Sequence, residues 1–518
     1  MHSKRPTTFE FESSFEDLDA TTCMTTLNYA AEAGDLDFVR TLLPICKDKA
    51  VTIYWNSLIN HAVRSGSEEL VEYLLNYIPQ AELAALERDG LNLWYTAARN
   101  GLGGIIRWLI ASGRGYPSKQ HITIGRDGRE LQSKYKQRDE KSPLHAAIFQ
   151  GSEPIVSMLL EFGAGIDDFR KEVNAENVTC SPLHASVLAR NRSLVELLLE
   201  RGADIQSTMR VGDTALHIAA RMGLEDIAEL LIDRGGDLHA QGFRGERPLD
   251  TASRKGHKGM VGLLVRRGAQ LSHVGAEFSP LHAAVRESSA SKDVVKFLIE
   301  EGLEVDIRTT DGETPLYLAV DHAPEDVIEL LIALGADPNI TSSGKTPLGS
   351  LLESAKKPPD ARTFRIIQLL GERTDAKTKN SHLRTVVQER WWYVNKPATL
   401  AGLVDALISI GANVNTQYDG GKNLLFFIRH MFLDAIVKLL LERGVNASAV
   451  DDDGNTVFHH FAKEYKNAYP GANKLIFEGA VKLIVAAGAD LNAMNHNSER
   501  AVDVLRAQGI EIPPEGSI

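Results

Sequence analysis

Cysteine is scarce in this 518-residue chain. There are three, Cys23, Cys46 and Cys180, widely spaced and odd in number. That excludes a disulfide framework, and the thiols are expected to be reduced, intracellular and packed as small apolar groups. Long apolar runs are missing too. The nearest approach, 476–491, is cut by Glu478, Lys482 and Asp490, so no membrane span is expected. Lys4 and Arg5 are followed by no apolar stretch, so no secretory leader is expected. An excess of positive charge is also lacking: Lys and Arg number 57 against 69 Asp and Glu, leaving −12. A chain of that sign is poorly suited to neutralising phosphates, and no nucleic-acid partner is expected.

Motifs that carry chemistry are absent as well. The sequence has no Cys-x-x-Cys, no His-Glu-x-x-His and no Gly-x-Ser-x-Gly. Ser343-Gly344-Lys345-Thr346 looks like the end of a phosphate-binding loop, but the first glycine of that motif falls on Asn339 and no strand precedes it. His459-His460 has no cysteine or carboxylate cluster beside it. No catalytic residue, metal ligand or cofactor site is therefore expected.

What is present is a folded composition, 43% apolar and 24% charged, and a period. Ser142-Pro143-Leu144-His145, Ser181-Pro182-Leu183-His184, Thr214-Ala215-Leu216-His217, Arg247-Pro248-Leu249-Asp250, Ser279-Pro280-Leu281-His282, Thr314-Pro315-Leu316-Tyr317 and Thr346-Pro347-Leu348 are versions of one opening. From Leu183 to Leu348 the anchoring leucines are 33, 33, 32, 35 and 32 residues apart. Most copies later reach a glycine ending: Gly202-Ala203-Asp204, Gly235-Gly236-Asp237, Gly268-Ala269, Gly335-Ala336-Asp337. A period near 33 with these motifs in register closely resembles the ankyrin-repeat family.

Elementary chemistry accounts for the residue types. Ser or Thr caps a helix N-terminus by accepting a backbone N–H. Pro in the next position loses nothing, because its N–H would be unpaired there. Leu216, Ala219, Ala220, Ile227, Leu230 and Leu231 fall at helical spacing on two successive helices. Gly223 and Gly235 end those helices where a left-handed backbone suits glycine. One such pair is too small to bury its apolar side and must stack on its neighbours. The expected fold class is all-α, an ankyrin-repeat α-solenoid with short β-hairpin tips.

About thirteen repeats are expected over residues 25–495, between an N-terminal tail, 1–24, and a capping helix and tail, 496–518. Trp94 stands where a repeat would ordinarily have leucine. Insertions are expected at 114–140, 353–363, 388–402 and 463–477. The tail mixes aromatic and acidic residues, Phe9-Glu10-Phe11-Glu12 and Phe15-Glu16-Asp17-Leu18, and reads either as a disordered end or as a short motif that docks on a partner or on the array. The insertion at 114–140 carries Lys119, Arg126, Arg129, Lys134, Lys136 and Arg138 against Asp127, Glu130 and Asp139, so it is a solvated loop or a docking site for an acidic surface.

His145, His184, His217, His282 and His459 share one repeat position. Each is expected to bond within its own turn and to the next repeat. Repeats about 10 Å apart hold these rings too far apart to share a metal with bonds of about 2 Å. The resemblance implies that partners meet the hairpin tips and the exposed side of the first helices, on a concave face. That side should show Arg64, Arg99, Arg221 with Met222, Arg254 with Lys255, Arg286 with Glu287, and Asp321 with His322. Arg221, Arg254, Lys255 and Arg286 would make a basic ladder suited to an acidic or amphipathic segment, or simply a solvated face. The tip candidates are Met209, Arg210, Phe243, Arg244, Phe278, Arg308 and Tyr418. The function expected is a non-catalytic protein–protein interaction scaffold, cytoplasmic or nuclear. An adaptor that presents captured proteins to a modifying machine such as a ubiquitin ligase is the alternative.

Overall fold

Helix pairs dominate the structure because the openings cap as their chemistry requires. In the computed structural model, which describes residues 19–48, 50–88, 92–114, 142–168, 170–171, 179–209, 211–271, 278–354, 360–388, 397–428, 433–467 and 474–510, Ser142, Ser181, Ser279 and Thr314 are N-caps whose hydroxyls accept the N–H three residues on. Thr214 and His217 cap each other's backbone. Proline follows the cap in four of these five helices, as the first helical residue. Gly223 ends helix Ala215–Met222 at φ 67°, and Gly235 follows helix Glu225–Asp233 at φ 93°.

The chain divides into two compact units, Met1–Pro248 and Leu249–Ile518. In the first, helix Pro182–Leu188 packs against its partner Arg192–Glu200 and against the equivalent helices Pro143–Gln150 and Ala215–Met222. Leu144, Leu183, Leu216 and the second-helix residues Ile227, Leu230 and Leu231 are buried between them. In the second, helix Pro315–His322 packs in the same way against Glu325–Ala333, Pro280–Val285 and Pro347–Ser354, burying Leu281, Leu316 and Leu348. Each unit is thus an array of ankyrin-type helix pairs. The tips are slight: single antiparallel bridges such as Thr208–Thr214, Ser342–Lys345, Val450–Thr456 and Met494–Arg500, with one two-residue ladder, Arg170–Lys171 against Thr179–Cys180.

Several elements depart from a strict period. Helix Ala20–Ala33, capped by Asp19, begins ahead of Thr25. An extra helix, Gln80–Arg88, follows the second repeat. Parts of the expected insertions are helix: 397–402 belongs to Pro397–Ser409, and 463–467 and 474–477 to Val457–Asn467 and Lys474–Ala486. Periodicity misses this because a helix can be lengthened without changing its register. Leu424–Phe427 is a short 3-10 helix in place of a first α-helix. Trp94 is buried and stacks on Phe162, centroids 5.5 Å apart. All three cysteines are buried. Residues 1–18, 115–141 and 511–518, with the motifs expected in them, lie outside the described residues.

Candidate partner-binding surface

The histidines belong to the scaffold. His217 Nδ1 accepts the Thr214 N–H at 3.2 Å, and its Nε2 lies 3.0 Å from the Glu246 carbonyl. A carbonyl can only accept, so Nε2 carries the proton and the ring is neutral. His282 repeats this with the Ser279 N–H at 3.1 Å and the carbonyls of Ile307 and Glu313 at 3.0 and 3.1 Å. His459 does so with Thr456 and the Glu499 carbonyl, and His145 Nε2 reaches the Cys180 carbonyl at 3.0 Å. Burial holds His184 and His282 down at about 4 and also lowers His217. The rings of His145, His217, His282 and His459 thus tie their own helix starts to backbone carbonyls ahead of the next helix.

One tip is built with particular care. The backbones of Gly212 and Gly242 approach so closely that a methyl on Gly212 would lie 3.4 Å from the Gly242 carbonyl carbon. Asp213, buried at the base of the first turn, accepts the Phe243 N–H at 2.8 Å on Oδ1 and the Arg221 guanidinium at 3.0 Å on Oδ2. A methyl on Gly242 would come within 2.5 Å of Asp213 Oδ1 and 2.8 Å of His217 Nε2, so only glycine fits there. Gly242 and Glu246 close the next turn through a 2.8 Å backbone bond. Arg244 within that turn has φ 59°, a left-handed conformation costing on the order of 1 kcal/mol without glycine. The outcome is a pinned tip on which Phe243 and Val211 remain 46% and 48% exposed. The Arg244 guanidinium lies 5.1 Å from the Phe243 ring centre.

The expected basic ladder is partnered from within. Arg221 pairs with buried Asp213 in the first unit. In the second, Glu287 takes Arg254 at 2.7 Å and Lys255 at 2.8 Å on its two oxygens. These cations hold the Glu287 carboxyl below its usual range, against the opposing push of burial. Arg286 lies over the Phe278 ring at 4.3 Å. Met222 is half-buried and Arg308 exposed. Arg210 lies outside the described residues. Two tip expectations need correction. Met209 is buried, and Tyr418 turns inward, its hydroxyl donating to the Asn380 carbonyl at 2.8 Å while burial pushes its phenol up to about 12. Tip position alone does not settle exposure: Tyr418 lies against helix Ala376–Gln388, whose Arg384 guanidinium is 5.3 Å from its ring centre. Asp213, Val211 and Glu287 carry much of this geometry and were not singled out from the sequence as positioning groups. An acid between glycine and the capping threonine, in Gly212-Asp213-Thr214, was the available signal.

The family model described as ankyrin repeats (3 copies) matches residues 27–124, 96–209, 206–275 and 270–342. The B-cell lymphoma 3 protein homolog of Mus musculus is 29% identical over 235 residues, 44% of this chain and 50% of that protein. An intracellular phospholipase A2 of Caenorhabditis elegans is 26% identical over 198 residues, 38% of this chain and 17% of that protein. The chain thus spans half or less of the length of these relatives. A crystal structure of the ankyrin repeat domain of Bcl-3, described as a unique member of the IkappaB protein family, is 27% identical; the match covers 45% of this chain and 99% of that one, with a TM-score of 0.35.

Proposed function

The chain belongs to the ankyrin-repeat family, and from that premise we propose that it is a non-catalytic protein–protein interaction scaffold engaging an acidic or amphipathic protein segment through its tips and first-helix side. Ankyrin repeats are protein-interaction modules in general. The observation that carries the finer reading is the pinned tip with Phe243 exposed beside Arg244. A buried carboxylate that holds the Phe243 N–H fixes the backbone of the tip, so little main-chain freedom is left to lose on binding, and an arginine beside the ring offers a fork to a carboxylate. Arg286 over Phe278 and exposed Arg308 extend the same chemistry in the second unit. Because Arg221, Arg254 and Lys255 are already paired, the tips offer a partner more than the ladder does. A cytoplasmic or nuclear setting accompanies it, one in which the buried thiols of Cys23, Cys46 and Cys180 stay reduced.

The test compares proteins recovered by wild type with those recovered by Phe243→Ala/Arg244→Glu. Loss of specific partners is expected. Equal recovery of every partner would reject the tip as the contact. Arg221 is the poorer probe, because replacing it also strands the buried Asp213 carboxylate. The adaptor alternative requires a second docking motif, and the segments free to carry one, 1–18 and 115–141, lie outside the described residues.

A further inference from the structure

Three tips among the described residues carry an Asp-Gly step, Asp311-Gly312, Asp419-Gly420 and Asp453-Gly454, and the fold treats one of them differently. Each tip is closed by a backbone bond: the Thr309 N–H to the Glu313 carbonyl at 3.0 Å, Tyr418 to Lys422 at 2.8 Å and Asp451 to Asn455 at 2.9 Å. Counted from the donors of these bonds, Asp-Gly is the third and fourth residue in the first and last tips, but the second and third after Tyr418. A β-turn satisfies the N–H of its fourth residue and not that of its third. Gly312 accordingly donates to the Thr309 carbonyl and Gly454 to that of Asp451, both at 2.9 Å, whereas the Gly420 N–H has no acceptor among the described residues. The flanking groups differ in the same way. The Asp311 carbonyl accepts the Ser342 hydroxyl at 3.1 Å, and the Asp453 carbonyl accepts the His496 N–H at 3.0 Å. Neither main-chain polar group of Asp419 is held so among the described residues. Its side chain is fully exposed, with the Arg384 guanidinium 3.8 Å away. Gly420 and Gly421 have φ of 78° and 70°, and without a Cβ they leave the turn free to change shape.

We propose that Asp419-Gly420 is a modification site at which the chain isomerises its own backbone, with water as the only co-reactant. The Gly420 nitrogen attacks Cγ of the Asp419 carboxylic acid. The N–Cγ bond forms, the Cγ–OH bond breaks, and the hydroxyl leaves with the amide proton as water, giving a cyclic succinimide. Water then adds to one of the two imide carbonyls. Opening at the former main-chain carbonyl leaves isoaspartate, in which the chain runs through the former side-chain carbonyl and is one carbon longer. A hydrogen bond from the attacking N–H, or a Cβ on its residue, would obstruct the first step, and the fold supplies neither at Gly420. Asn100-Gly101 has the same chemistry with ammonia leaving, but the helix end holds both reacting groups: the Gly101 N–H donates to the Ala98 carbonyl at 3.3 Å and the Asn100 amide to the Thr96 carbonyl at 2.8 Å. The added carbon falls inside the Tyr418–Lys422 closure and beside Gly420, whose carbonyl accepts the Asp452 N–H at 2.9 Å. Isomerisation therefore frees this tip from the one that follows it.

The full chain tests this, aged for weeks at neutral pH and physiological temperature and then digested for mass spectrometry that separates isoaspartyl from aspartyl peptides. Isoaspartate at Asp419 should exceed that at Asp311 and at Asp453 at least fivefold. In chain aged under denaturant the three yields should converge to within twofold, because the fold is what sets their amides apart. Equal yields in the folded protein, or the same excess in the unfolded chain, would overturn the proposal. In the isoaspartyl fraction, amide hydrogen exchange across Asp451–Asn455 should run at least fivefold faster than in the unmodified fraction. Unchanged exchange would overturn the release of the tip. The reading of Phe243 and Arg244 as a partner contact stands or falls separately, because neither residue takes part.

Discussion

Acid should loosen the array well before its carboxylates are all protonated, and the buried histidines set the window. His184 and His282 fall from 6.5 to about 4, chiefly because burial disfavours the charged ring. Below pH 6.5 the unfolded chain therefore binds protons that the folded chain refuses. The stability is whole above about 6.5 and is lost as pH falls toward 4. At pH 5 the linkage costs about 2 kcal/mol for each imidazole, and about 3 kcal/mol below pH 4. His217 is lowered in the same direction. Asp306 and Glu313, whose carboxyls burial raises, work the opposite way, so the comparison must leave them in place. His282→Gln does so, because an amide can still accept the Ser279 N–H or donate to a neighbouring carbonyl. Denaturant unfolding at pH 7 and pH 5 should show wild type losing about 2 kcal/mol more than His282→Gln over that interval. Imidazole proton resonances followed through the same range read the two titrations directly. Equal pH dependence of the two proteins, or His184 or His282 titrating above pH 6, would refute the reasoning.

Gly242→Ala should destabilise by about 2–4 kcal/mol, since its methyl displaces Asp213 and His217 and breaks charge-assisted bonds. Gly235→Ala, where the methyl meets nothing within 4 Å, should cost only the left-handed backbone, about 1 kcal/mol; similar losses in thermal melts would show that the close approach is unimportant. Trp94→Ala should lose about 3–5 kcal/mol by leaving a cavity beside Phe162, read as a lower denaturation midpoint. Glu287→Ala should change stability by less than about 1 kcal/mol yet strengthen low-salt binding of an acidic peptide, by relieving Arg254 and Lys255 of their carboxylate. Unchanged anisotropy of a labelled glutamate-rich peptide would show that those cations face no ligand.

The repeat, the caps and the shared histidine position could all be read from residue order, because each is local. A serine three residues before a histidine, followed by Pro-Leu, specifies its own helix start, and a 33-residue period specifies that neighbours must stack. Residue order did not locate the extra helix Gln80–Arg88, nor show that 397–402 continues a helix, since both depend on how apolar faces meet and not on any punctuating residue. Charge was the least legible property. Arg254, Lys255 and Glu287 are 32 and 33 residues apart in the chain, and the sequence shows two cations on one repeat and an acid on the next. Only folding brings one carboxylate within 3 Å of both. Asp213 shows the same division: its type is written in the sequence, but its role depends on a turn thirty residues away that leaves no room for a side chain at Gly242. Order along the chain determined the period and the polar groups each repeat must satisfy, while the tertiary structure decided which charges and rings remain facing water, because that depends on distances between groups the sequence keeps far apart.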